Sequence, residues 1–161
     1  MTPAGAGLII NRFPTRLPPP MPELQYIAYT STASRPIVDA DLRYLLADAR
    51  HFNAGVDLTG ILLFNGLAFF QYLEGTPKAC AAVMARIRSS SLHHSIYELS
   101  CDAVDGRRFG DWRMGCTWVD DEARWLALHD PSLWTTRVNN PAPCEGLALL
   151  TGFWEASMGV P

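Results

Sequence analysis

The fold is decided by the stretch Leu58-Thr59-Gly60-Ile61-Leu62-Leu63-Phe64-Asn65-Gly66-Leu67-Ala68-Phe69-Phe70-Gln71-Tyr72-Leu73-Glu74-Gly75. Two apolar runs flank the dipeptide Asn65-Gly66, and this pattern predicts a tight β-hairpin buried in a sheet. Gln71 is the exception within the second run, because a buried amide without hydrogen-bond partners costs about 1–3 kcal/mol. A neighbouring backbone group or a water would satisfy this amide, unless other residues indicate a different polar partner.

Composition limits the class of protein. The 161 residues are 48% hydrophobic, which is enough for the core of one domain with appendages. The formal net charge of −3 argues against a nucleic-acid binder, since phosphate recognition normally requires a basic face. Small molecules or proteins are therefore the expected partners.

The cysteines and the hydropathy pattern predict a cytoplasmic protein. The four cysteines are far apart and form no C-x-x-C pair, so the sequence predicts neither a metal site nor a disulfide framework; they are Cys80, Cys101, Cys116 and Cys144. No apolar run approaches the roughly 18 residues that a membrane span requires. The patch Leu8-Ile9-Ile10 is too short for the core of a signal peptide. Residues 1–23 are proline-rich and are expected to form a flexible leader outside the fold.

Further elements are predicted on both sides of the hairpin. A first strand covers Leu24–Thr30, and a helix capped by Asp39 ends near residues 53–55. Thr76 caps a second helix that begins at Pro77 and ends at Ser89-Ser90-Ser91. Strands at Ile96–Val104 and Trp112–Val119 follow, and Trp112, Met114 and Cys116 share one face of the last strand.

This order of elements predicts an α+β fold. The sequence strand, helix, strand, strand, helix, strand, strand is that of a ferredoxin-like sandwich with one extra strand and two helices on one face. Because side chains alternate along a strand, Ile27, Tyr29 and Ser31 share one face, and so do Phe69, Gln71 and Leu73. Both sets can point toward the helices.

The segment 120–161 predicts two C-terminal helices. The first carries Trp125, Leu126 and Leu128, and the second carries Leu147, Leu150, Phe153, Trp154 and Met158. Their apolar stripes require a partner. The open face of the sheet is the obvious surface, and a protein partner is the alternative.

Groups that could perform acid–base or nucleophilic chemistry are present but scattered. They are His51, His93, His94, His129, Glu74 and Cys80, and none shows the spacing of a catalytic triad or a metal site. Glycines form neither a dinucleotide-binding nor a phosphate-binding loop. His93 and His94 are by themselves more typical of loop histidines than of ligands.

A set of residues in a fixed order nevertheless resembles the BLUF family of blue-light sensors that use flavin. The resemblance extends from Leu24 to Val119 without gaps, and its elements are Tyr29, Ser31, Asn53, Leu58-Thr59-Gly60, Phe70 to Gly75, His93 and Arg108 to Met114. Each element alone is modest, but their order and spacing are specific. The resemblance implies a sensor domain at residues 24–119 followed by an output segment at residues 120–161.

The resemblance also implies roles for individual residues. Tyr29 would be the photoactive tyrosine, Gln71 the switching glutamine, and Asn53 the amide that bonds the carbonyl edge of the flavin. Trp112 or Met114 would sense the change. The remaining cofactor-binding residues would be Ser31, Leu62, Phe69, Ile87 and His93.

The resemblance implies a reversible hydrogen-bond switch without a covalent bond. A glutamine side chain both donates and accepts hydrogen bonds, so Gln71 can bridge the Tyr29 hydroxyl and a flavin nitrogen. Light would leave Gln71 rotated or tautomerised and shift the absorption to the red. Because Ser90 and Leu92 stand where family members often have an acid and an arginine, FAD, FMN and riboflavin all stay possible.

Three functions therefore stay open from the sequence. The first is a photoreceptor without an enzymatic domain, which signals to a protein partner or through its own oligomer and contacts neither nucleic acid nor a membrane. The second is a small ferredoxin-like enzyme in which Glu74 and His93 would be the acid–base pair. The third is a protein-interaction module that keeps the fold without flavin.

Overall fold

A computed structural model describes residues 23–110, 112–118 and 144–158 of the chain. The strands are β1 (Leu24–Ala33), β2 (Thr59–Phe64), β3 (Ala68–Gly75), β4 (His93–Val104) and β5 (Gly115–Trp118). The helices are α1 (Asp39–Gly55), α2 (Pro77–Arg88) and α3 (Glu145–Met158). In these described ranges, no helix is long and apolar enough to cross a membrane.

The five strands form one mixed sheet in the order β4-β1-β3-β2-β5. The first four strands pair antiparallel, and β5 pairs parallel with β2. The predicted α+β ferredoxin-like sandwich with an additional strand is thus confirmed. The hairpin is confirmed as well: Phe64 pairs with Phe69, Gly66 has a φ of 94°, and the Asn65 side chain accepts from the Ala68 amide at 2.8 Å.

The alternation along the strands separates two apolar cores. Ile27, Tyr29, Phe69 and Leu73 pack in the core beneath α1 and α2, together with Val83 and Met84 of α2. The intervening residues face the opposite core, which α3 covers with Leu150 and Trp154; its strand residues include Tyr26, Ala28, Phe70 and Tyr72. The open face of the sheet is therefore covered by the second predicted C-terminal helix. The first predicted helix, with Trp125, and the leader at residues 1–23 lie outside the described residues.

The helix starts are partly as predicted. Thr76 caps α2, since its hydroxyl accepts from the Ala79 amide at 3.2 Å and Pro77 is the first helical residue. The prediction that Asp39 caps α1 is wrong, because the cap position is Val38. Asp41 serves this helix end instead: its carboxylate accepts from the Val38 amide at 3.1 Å. An acidic side chain in the first turn also suits the positive end of the helix dipole.

Two strand boundaries differ from the prediction. β4 begins at His93 rather than Ile96, because bulges in its pairing with β1 allow both strands to continue until His93 pairs with Ala33. β5 begins at Gly115 rather than Trp112: the Trp112 carbonyl accepts from the Gly60 amide of β2, but the next two carbonyls accept from the Asn53 and Arg50 side chains of α1. The prediction that Trp112 and Met114 share a strand face is therefore wrong.

Candidate functional site

A cleft lies between the sheet and the two helices α1 and α2. Its empty space, counted together with the solvent at its open mouth, is about 700 Å³. Its walls are mostly apolar, with a few polar groups converging on it. The lining residues that the sequence predicted for the site are Tyr29, Asn53, Leu62, Phe69, Gln71, Ile87, His93 and Met114.

Tyr29 and Gln71 meet at the floor of the cleft. They are directly paired across β1 and β3, and the Tyr29 hydroxyl donates a hydrogen bond to Oε1 of Gln71. The Tyr29 side chain is only 1% exposed, and burial raises its pKa well above that of a free tyrosine. The phenol therefore stays protonated at neutral pH and acts as a donor toward the amide.

The other end of the Gln71 amide points to Met114. Nε2 of Gln71 donates to the Met114 sulfur at 3.1 Å. A thioether is a weak acceptor, and an amide nitrogen carries two hydrogens, so this contact leaves the donor capacity of Nε2 only partly used. Gln71 is thus a buried amide with a strong bond at its oxygen and a weak one at its nitrogen.

Helix α1 holds the segment that carries Met114. Nδ2 of Asn53 donates to the carbonyl of Arg113 at 2.6 Å, and Nε of Arg50 donates to the carbonyl of Met114 at 2.9 Å. Asn53 also lines the cleft, so one amide joins the cleft wall to this segment. Sequence reasoning missed Arg50, whose guanidinium lies one turn of α1 before Asn53.

Trp112 lies away from the cleft. Its side chain is 39% exposed, and its ring lies 6.5 Å from that of Phe109, centre to centre. Of the two residues that the sequence offered as sensors, the structure brings Met114 to Gln71 and leaves Trp112 at the surface. The sequence did not distinguish these two residues, because in a regular strand both would lie on the same face.

His93 closes one end of the cleft. Its Nδ1 lies 2.8 Å from the hydroxyl of Ser31, and its ring meets Phe69 edge-on at 5.7 Å. Burial lowers the pKa of His93, although a hydrogen bond with the backbone of Ile87 partly opposes this effect. The imidazole is therefore neutral at pH 7. Ser31 contacts His93 and does not itself line the cleft.

The mouth of the cleft carries charges that sequence reasoning missed. Arg86 of α2 forms an ion pair with Asp48 of α1, and its guanidinium lies 4.8 Å from the centre of the Phe52 ring. All three residues line the cleft. Asp48 and Phe52 are one helical turn apart, a spacing that places them on one face of α1.

The acid–base pair of the enzyme alternative is not assembled. Glu74 follows Gln71 by three residues, so it faces the other side of the sheet from the cleft that His93 lines. Its carboxylate accepts hydrogen bonds from the backbone amides of Arg108 and Phe109. Among the residues that the structure describes, no cluster of acidic, histidine or cysteine side chains could hold a metal ion.

Comparison with protein families identifies the sensor unit. The family model described as "Sensors of blue-light using FAD", BLUF, matches residues 24–115. The chain is similar to the blue light- and temperature-regulated antirepressor BluF of Escherichia coli K12, at 42% identity over 66 residues. It is also similar to the photoactivated adenylate cyclase subunit alpha of Euglena gracilis, at 28% identity over 110 residues. These matches cover 41% and 66% of this chain, but only 16% and 11% of the two relatives.

Comparison with solved structures agrees. The fold is similar to Klebsiella pneumoniae BlrP1, solved with FMN and cyclic diGMP, with a TM-score of 0.67 and 32% sequence identity. That match covers 81% of this chain and 34% of the BlrP1 chain. The similarity therefore extends over the sheet and its helices and not over the remainder of the larger protein.

Proposed function

Since the chain belongs to the BLUF family of flavin-binding blue-light sensors, we propose that Tyr29 and Gln71 are its switch and Met114 its first responder. The observation that carries this proposal is the half-satisfied amide of Gln71 at the floor of an apolar cleft. Its oxygen is held by a phenol and its nitrogen by a weak acceptor, so a ligand with nitrogen and oxygen acceptors would complete its bonding.

The residues of the cleft fit a flavin ring. Leu62, Phe69 and Ile87 supply apolar contacts for its faces. Gln71 and Asn53 supply amide donors and acceptors at the floor and wall of the cleft. When bound, the flavin supplies the absorption of blue light and an excited state that accepts an electron. A neutral His93 adds no charge next to the ring.

The chain's own residues then perform the switch. Tyr29 is a one-electron donor once its proton can leave along the hydrogen bond to Oε1 of Gln71. Once the proton and electron had returned to Tyr29, the Gln71 amide would be left turned over or as its tautomer. In either form Nε2 no longer makes the same bond to Met114, and one restraint on residues 113–114 is removed. Such a rearrangement is worth about 1–3 kcal/mol, within the range of allosteric couplings.

The proposed cofactor is FAD, with FMN or riboflavin as acceptable forms. Next to the cleft lies an open region lined by Arg35, Arg86 and Ser89-Ser90-Ser91, toward which a flavin tail could extend. Arg35 and Arg86 are already paired with Asp41 and Asp48. Contacts with the flavin ring are therefore expected to contribute more to binding than contacts with the phosphates.

The proposed output is contact rather than catalysis. We assign residues 24–119 to the sensor, residues 120–161 to the output segment and residues 1–23 to a leader. The BLUF domain is a sensor module, and a protein partner or a second copy of the chain would receive its signal. Four free cysteines fit the reducing environment of the cytoplasm, where we place the protein.

The purified protein tests the proposal directly. Bound flavin should be released by denaturation and identified by its chromatographic mobility, and blue light should shift the absorption reversibly to the red. A colourless protein that takes up no added FAD, FMN or riboflavin would instead support the interaction module. Bound flavin that is consumed or reduced with turnover of a substrate would support the enzyme.

A further inference from the structure

Glu74 is a fully buried carboxylate on the face of β3 opposite Gln71. Its side chain is 0% exposed. Oε2 accepts from the Arg108 amide at 2.8 Å, and Oε1 accepts from the Phe109 amide at 2.7 Å and from the Thr59 hydroxyl at 3.0 Å. Each of these partners is a donor, so the arrangement is built for an ionised acceptor.

The course of the chain explains why an anchor is needed there. β4 and β5 lie at opposite edges of the sheet, so the connection between them passes the ends of β1, β3 and β2. Glu74 lies at the end of β3, midway along this path. Arg107 strengthens the same point: it donates to the Thr59 hydroxyl at 2.9 Å and to the Glu74 carbonyl at 3.1 Å.

Arg108 and Phe109, which donate to Glu74, are connected to the segment that carries Met114 by a short series of backbone hydrogen bonds. The Trp112 amide donates to the Phe109 carbonyl at 2.9 Å, and the Gly60 amide donates to the Trp112 carbonyl at 3.0 Å. Two residues later the Met114 sulfur meets Gln71. The position of Phe109 therefore fixes the start of the segment that ends at Met114.

From these contacts we propose that Glu74 is a positioning residue for the switch: its carboxylate sets where Met114 stands relative to Gln71. The role of Glu74 in signalling rests on the proposed function. Its effect on the position of Met114 does not, and this effect can be tested without flavin. Burial raises the pKa of Glu74, and the two amides that it accepts from oppose that rise.

The decisive variant is Glu74→Gln, which keeps the size of the side chain but replaces one acceptor oxygen with a donor. One of the Arg108 and Phe109 amides then loses its acceptor, and that amide should exchange hydrogen about 10- to 100-fold faster. The matched control is Glu155→Gln, the same chemical change at an exposed position of α3. It should leave both amides unchanged.

The readout for positioning is the methyl group of Met114. The chain has five methionines, and methyl labelling with a Met114→Leu variant for assignment identifies the signal in the flavin-free protein. In Glu74→Gln the Met114 methyl resonance should move although the substituted side chain lies on the other face. The resonance of Met84, on the buried face of α2, should stay in place.

The outcomes separate the two proposals. An unmoved Met114 resonance in a folded Glu74→Gln protein overturns the positioning role, even if wild-type protein responds to light. Wild-type protein that binds no flavin overturns the proposed function, while a moved resonance still supports the positioning role. Should Glu74→Gln fail to fold, Thr59→Val removes one of the three donors, and a smaller displacement of the same resonance is expected; its absence overturns the role.

Discussion

The two faces of the central sheet are made from alternate residues of the same strands, and they differ in how completely they are filled. On the α3 face, Tyr26 and Tyr72 stack at 5.1 Å, and the Tyr26 hydroxyl is 2.6 Å from Ser100. Ser100 in turn donates to Glu145 of α3 at 2.8 Å. On the α1/α2 face, a cleft stays open, and within the described part of the chain the nitrogen of Gln71 has only a thioether as acceptor. One face is therefore built for stability and the other for binding.

This difference arises because successive side chains of a strand point to opposite faces of the sheet. A strand can place an aromatic side chain in a closed core and a reactive amide in a cleft at consecutive positions, without any compromise in its backbone. Tyr72 and Gln71 are such neighbours. Substitutions at neighbouring positions should therefore affect different properties.

Substitution of Gln71 or Tyr29 should have the largest effect on light response. Gln71→Leu and Tyr29→Phe keep the apolar contacts of the cleft but remove the amide or the hydroxyl of the proposed switch. Each variant should retain flavin and lose the red shift, measured by absorption spectra before and after blue light. The matched control is Tyr72→Phe, which removes a hydroxyl from the other face and should shift normally. A normal shift in Gln71→Leu or Tyr29→Phe would remove that residue from the switch.

Removal of a large ring from the α3 face should instead affect stability. Trp154 is buried against the sheet, and Trp154→Ala should lower the free energy of unfolding by about 3–5 kcal/mol. Denaturant unfolding measures this change, with Glu155→Ala at the adjacent exposed position as the control. The folded fraction should keep its flavin and its red shift. Loss of the shift in folded protein would contradict the separation of the two faces.

The kinetics of dark recovery should distinguish Met114 from Trp112. Met114→Ala removes the acceptor of Gln71 Nε2, and a change of about 1 kcal/mol in one state corresponds to a roughly fivefold change in the recovery rate. Trp112→Ala should keep the red shift and change recovery less, because this ring is at the surface. Recovery is measured as the decay of the shifted absorption in darkness. A larger effect at Trp112 would contradict the assignment of Met114 as first responder.

The sequence predicted the parts of the site that depend on local order. The hairpin, the faces of Tyr29 and Gln71, and the cap of α2 follow from turn chemistry and alternation, and all are confirmed. The position of Met114 depends on contacts between residues far apart in the chain. Glu74 reaches Arg108 over 34 positions and Asn53 reaches Arg113 over 60, so no local pattern encodes them. The later start of β5, at Gly115 instead of the predicted Trp112, has the same origin.

The smallest expected effect is a pH dependence of stability that belongs to the cleft face. Burial lowers the pKa of His93 below the ordinary 6.5 of an unfolded histidine. Below that pH the unfolded chain binds a proton at His93 more readily than the folded chain does, so stability is full above about pH 6.5 and falls as the pH drops toward the folded pKa. The flavin-free protein should therefore unfold at a lower denaturant concentration at about pH 5.5 than at about pH 7.5.

In His93→Gln this loss of stability at low pH should be smaller, whereas His51→Gln, at an exposed position of α1, should keep it. An identical pH dependence in wild type and His93→Gln would mean that His93 stays accessible to protons in the folded state, and the cleft would then be wetter at this end than its apolar lining indicates.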